Sequence, residues 1–140
     1  MKKALDKKFD DIKLNDSAFF ERLITKDDLI KFADISGDYN PLHLDEKYAL
    51  GTVFKNKIAH GMFLGALVSR LVGMELPGKR ALLIKECLEF KKPARIGEKI
   101  LVTGRVIHKS QALHLVELSI IISRNKEILV SGSAHIRVLK

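Results

Sequence analysis

The stretch that most restricts the fold is "AHGMFLGALVSRLVGMEL", Ala59 to Leu76. Beyond Gly61 its apolar residues do not keep to one stripe at helical spacing but run almost all the way round. A helix of that kind is buried on every side, so the rest of the chain has to wrap it. Gly65 and Gly73 would each cost about 1 kcal/mol in an exposed helix. Inside a wrapped one they let neighbouring strands come close. "PGK" (Pro77 to Lys79) then turns the chain.

The wrapping follows directly. "ALLIKECLEF", "EKILVTGRVIHK", "ALHLVELSIIISR" and "EILVSGSAHIRVL" are rich in β-branched and large apolar residues with partial alternation, and read as four long strands. "KKPARIG", "KSQ" and "NK" punctuate them, and "RNKE" is a short hairpin connection. Upstream, "FFERLIT" (Phe19 to Thr25) reads as a strand. Thr25 and Asp28 form a capping box for a helix carrying Leu29, Phe32 and Ala33, which Gly37 stops. Strand, helix, buried helix and four strands make an α+β domain, an antiparallel sheet against one helix. Residues 1–16, with isolated apolar positions among Lys and Asp, are expected to be a weakly ordered or peripheral lead-in, and 17–140 the domain.

Composition excludes some classes. The 140 residues carry no signal-peptide pattern, and the most apolar run, Met62 to Met74, contains Ser69 and Arg70 and is too short for a bilayer. A cytoplasmic protein without a membrane partner is expected. Cys87 is the single cysteine, read as a small core residue, and no cysteine-based metal site can be assembled around it. A formal charge of +8 favours anionic partners. The basic residues are scattered and no nucleic-acid-binding signature accompanies them.

"SGDYNPLH", Ser36 to His43, is the segment hardest to read as scaffold. Gly37 and Pro41 stiffen an irregular stretch that holds Asp38 and His43, with Asn40 placed to bond nearby backbone. A turn can bring the carboxylate and the imidazole to one water, which makes a proton-transfer unit. The competing reading is a capped turn and a surface histidine. Downstream, Gly61 opens the buried helix, where unpartnered N–H groups and the helix dipole suit an oxyanion. His60 is read as shaping that helix start, and His43, His60, His108, His114 and His135 are not expected to cluster as metal ligands.

"FADISGDYNPLHLDEKYA", "KIAHGMFLGALVSRL", "GMELPGK" and "LEFKKPARIGEKILVTGRV" resemble, in order and spacing, the MaoC-like (R)-specific enoyl-CoA hydratases. The first matches that family's Gly-Asp-x-Asn-Pro-hydrophobe-His signature at every defined position. The resemblance implies a hot-dog fold and reversible addition of water to a trans-2-enoyl thioester. It places the catalytic aspartate and histidine on Asp38 and His43, and the N–H that holds the thioester carbonyl on Gly61. Ser69 aligns with a serine supporting the aspartate, and Asn40 with a structural turn asparagine. It implies no cofactor and no metal, a substrate carried on coenzyme A or acyl carrier protein, and a homodimer or higher oligomer with the site at the interface. The loops at 49–58 and 76–82 would set acyl-chain depth. Two rivals remain: a hot-dog thioesterase, for which the buried helix offers only Glu75, and a non-catalytic thioester-binding module.

Overall fold

Alternation writes the sheet. In β4 (Leu115–Arg124) the side chains of Val116, Leu118, Ile120 and Ile122 are buried and the residues between them are not, as the two-residue period of a half-covered strand requires. The computed structural model describes residues 3–140. Around β4 it places β1 (Ser17–Leu23), β2 (Ala81–Phe90), β3 (Lys99–Ser110) and β5 (Glu127–Val138). They form one antiparallel sheet in the order β1-β3-β4-β5-β2. Asn125 and Lys126, both at positive φ, make the two-residue turn between β4 and β5.

Four helices lie between β1 and β2: α1 (Lys26–Ser36), α2 (Pro41–Leu44), α3 (Glu46–Leu50) and α4 (Gly61–Met74). The capping box of Thr25 and Asp28 opens α1, and Gly37 closes it in the left-handed conformation, as expected. The long helix α4 lies against the sheet through Phe63, Leu64, Leu67, Val68, Leu71 and Val72, which belong to the core. A Cβ on Gly104 of β3 would sit 2.6 Å from Leu71 Cδ2, so this glycine is what lets helix and sheet meet there. The hot-dog architecture expected from the sequence is the observed one. Among the described residues no helix is long and apolar enough to cross a membrane.

Four expectations need correction. The helix α4 is not covered on every side within one chain: Met62 is 60 % exposed, and Ala66 and Ser69 also face outward. The sheet covers one side of it, and the apolar residues on the other face have nothing over them in a single protomer. Residues 3–16 are not peripheral. Phe9 and Ile12, brought to one side by a 3-10 turn, are buried in the core, and the Lys109 ammonium donates to both their carbonyls. Cys87 is exposed, because β2 is an edge strand that sheet and helix cover only in part. Finally, His43 is not on irregular backbone: Pro41 starts the short helix α2 and Asn40 caps it, its side chain accepting from Leu42 N–H at 2.9 Å. Proline at the first helical position has no N–H to lose and a φ already suited to the helix.

Candidate active site

The segment between α1 and α2 is held by its own side chains. Ser36 Oγ donates to Phe32 O and accepts from Asp38 N–H, and the Asp38 carboxylate accepts from Asn40 N–H at 3.2 Å. These short-range bonds leave Asp38 exposed, with one carboxylate oxygen uncommitted. His43 is half-buried, and its Nδ1 lies 2.8 Å from Ile58 O. A carbonyl only accepts, so Nδ1 carries a proton and Nε2 is the nitrogen left to exchange one.

His43 lines a cavity of about 300 Å³ with Phe54, Ile58, Gly61, Leu64 and Phe90. Gly61 stands at the first position of α4, where N–H groups have no intrahelical acceptor. A Cβ at Gly61 would meet the Phe90 ring at 3.2 Å, so the bare backbone keeps this corner of the cavity open. The histidine and the helix start thus share one cavity, and Asp38 is not among the residues that line it. The far wall was not foreseen. It is the stretch Phe90 to Ala94, read in the sequence as strand end and punctuation, and not the loop at 76–82. The segment around Phe54 and Ile58 does contribute.

His60 is the residue that sequence reasoning placed wrongly. It precedes α4 but makes no side-chain cap. It is 2 % exposed, its Nε2 lies 3.0 Å from Asp38 O, and its ring packs on His43 with centroids 3.9 Å apart. Phe32 of α1 packs against the same ring. Burial holds the His60 imidazole below its ordinary pKa, against a smaller opposing effect of the Asp38 carbonyl. The available signal was adjacency: a polar ring directly before a buried helix needs a partner.

Asp38, His43 and His60 each offer an atom within 4.8 Å of the others, the one such set among the described residues that could hold a metal ion. The expectation that no histidines cluster as possible metal ligands is corrected for His43 and His60. Each ring spends one nitrogen as a donor, His43 Nδ1 to Ile58 O and His60 Nε2 to Asp38 O, which leaves one lone pair apiece. Ser69 is not brought to Asp38. It sits nine residues beyond His60, about 13 Å along the helix, on the exposed face. Glu75, the carboxylate a thioesterase would need, caps the opposite end of α4, about 20 Å from Gly61.

The chain is similar to known proteins of one family. A family model described as "MaoC like domain" matches residues 14–119. A 3-hydroxybutyryl-CoA dehydratase of Methylorubrum extorquens is 33 % identical over 132 residues, 94 % of this chain and 84 % of the relative. An (R)-specific enoyl-CoA hydratase of Rhodospirillum rubrum is 43 % identical over 98 residues, 70 % of this chain and 68 % of the relative. Among solved structures, the unliganded R-hydratase PhaJ1 of Pseudomonas aeruginosa superposes with a TM-score of 0.92 at 31 % identity, covering 98 % of this chain and 88 % of its own.

Proposed function

The chain belongs to the MaoC-like family, and on that footing we propose that it is a hydro-lyase, an (R)-specific enoyl-thioester hydratase that also runs as a 3-hydroxyacyl-thioester dehydratase. The observation that carries this reading is that His43, with a ring nitrogen within 4.8 Å of an Asp38 carboxylate oxygen, shares one cavity with Gly61 at the start of α4.

In the resting site both members of the pair are acceptors: the Asp38 carboxylate and the Nε2 lone pair of His43. A water between them donates to both. As its oxygen bonds to Cβ of the enoyl group, one proton passes to the pair and the double-bond electrons move toward the thioester carbonyl. Gly61 N–H holds the oxygen on which that charge gathers. The pair then returns a proton to Cα from the side on which water was held, so addition is syn. Hydrogen to Cα and hydroxyl to Cβ account for one water, and nothing else is consumed. Neither cofactor nor metal is required, and undiminished turnover with a chelator is the check. The carrier is coenzyme A or an acyl carrier protein, since either presents the same thioester.

The working unit in this reading is a homodimer. Leu82, Leu83, Ile84 and Phe90 are exposed on the edge strand β2, beside the bare stripe Met62, Ala66 and Ser69 of α4. An apolar edge of this length invites pairing. Ser69 lies on the face that such pairing covers, and we read its support of the aspartate as exercised across the interface.

The test is the enoyl-thioester absorbance of crotonyl-CoA with wild type and the Asp38→Asn variant. Loss of the band with wild type alone is the expected result. Release of free thiol in its place would identify a thioesterase, and silence toward both coenzyme A and carrier-protein thioesters would leave a binding module.

A further inference from the structure

We propose that His60 is a positioning residue of the hydration site, tying the Asp38 main chain and the His43 ring to the start of α4. The inference rests on Asp38 and His43 being the catalytic pair.

The observations are topological first. Among the described residues, every other hydrogen bond made by Ser36–Asn40 stays within Phe32–His43. The bond from His60 Nε2–H to Asp38 O spans 22 positions and is the one that fastens this segment to the body of the protein. His60 also precedes Gly61 directly, so the group that fixes the acid is covalently joined to the N–H that faces the thioester oxygen. The same ring packs against His43, tilted by 30°. One buried side chain therefore sets the relative position of all three reacting groups, and a misplacement near 1 Å in such a site can cost about 100-fold in rate.

The chemistry of the ring suits this. With Nε2–H donating to Asp38 O, Nδ1 is a bare acceptor, and it is buried without a partner. A proton on Nδ1 would become an unsatisfied buried donor and would place a charge against His43. The remaining groups packed on the ring are Asp38 and the uncharged Phe32. Burial and the neighbouring His43 ring thus favour the neutral His60 ring that donates to Asp38 O.

The experiment compares His60→Phe, which keeps an aromatic ring and loses the donor, with His60→Gln, which keeps an N–H donor and loses the ring. Crotonyl-CoA is the substrate and circular dichroism the control for folding. His60→Phe is expected to lower kcat roughly 10- to 100-fold with KM within about twofold, because the thioester still binds and the pair is misaligned. His60→Gln is expected to recover part of the loss. A His60→Phe enzyme within twofold of wild-type kcat, or a change confined to KM, overturns the proposal. Independently of activity, ¹⁵N spectra of the imidazoles should show His60 as the Nε2–H tautomer, with any titration midpoint below the ordinary histidine value. An Nδ1–H tautomer, or a midpoint at the ordinary histidine value, overturns it even where His60→Phe does not fold. If wild type hydrates no acyl thioester, the functional reading falls, and the spectra still decide whether His60 holds Asp38.

Discussion

The two ends of the apparatus around α4 are finished to different degrees in one chain. At its start, Asp38, Asn40, His43 and His60 are linked by bonds to Ile58 O, Asp38 O and their own segment. Along its outer face and the neighbouring β2, large apolar side chains are exposed and the buried Oε1 of Glu86 has no partner. The opposite sheet edge sharpens the contrast. There β1 carries Glu21, paired with Lys99, and Arg22, paired with Asp28 of α1, and charge of that kind discourages further pairing. Phe19 and Leu23 are exposed on β1 as well, so what sets the β2 side apart is the consecutive run Leu82, Leu83 and Ile84 together with the unpartnered Oε1 of Glu86.

The largest effect should come from breaking the finished corner. Asp38→Asn and His43→Gln are each expected to lower turnover by about 100- to 10,000-fold, the range for loss of a proton-transfer group. Melting temperature should barely move, because Asp38 is exposed and His43 is only half-buried. Near-normal hydration by Asp38→Asn would show that this corner is not the site. Next comes the bare edge. Ile84→Lys puts a charge on a side chain that is 49 % exposed in the protomer. Sedimentation should report monomers, with turnover falling in proportion to the dimer lost; a fully active monomer would separate chemistry from the edge. Smaller again is Ser69→Ala. If the partner's Ser69 hydrogen-bonds Asp38, its loss should reduce kcat about tenfold, the value of one hydrogen bond near 1.4 kcal/mol. An unchanged kcat would remove Ser69 from the site.

How much of this the sequence disclosed follows from the range of each interaction. The cap at Thr25, the stop at Gly37 and the strands are written in neighbouring residues and could be read directly. The approach of Asp38 to His43, five positions apart, was one of two readings those residues allowed, and the family resemblance chose between them. His60 could not be placed, because its contact with Asp38 O depends on how the 40–58 segment folds back on α4. The exposed stripe of α4 misled for another reason: apolar residues on all sides say that a helix is covered, and do not say by which chain. Phe9 and Ile12 were overlooked because single apolar residues among charges show no period.

Glu86 gives the finest test of the comparison. Its carboxyl is held above the ordinary glutamate pKa by burial, beside Met62, Gly65 and Leu88, which offer it no charge. Near pH 4 the folded and unfolded chains both carry the proton, and Glu86 is neutral in its effect on stability. As pH rises the unfolded chain ionises first while the folded chain keeps its proton, so stability falls across the window between the ordinary glutamate value of 4.5 and the raised folded one, and stays lower above it. Glu86→Gln cannot ionise and escapes that loss. In the monomeric Ile84→Lys background it should therefore raise Tm by a few degrees at pH 7 and leave it unchanged at pH 4. In the dimer the outcome turns on what the partner brings: a donor at Oε1 would erase the gain or reverse it. Equal gains in both backgrounds would mean that the second copy leaves Glu86 as it found it, and that the edge is completed through its apolar residues alone.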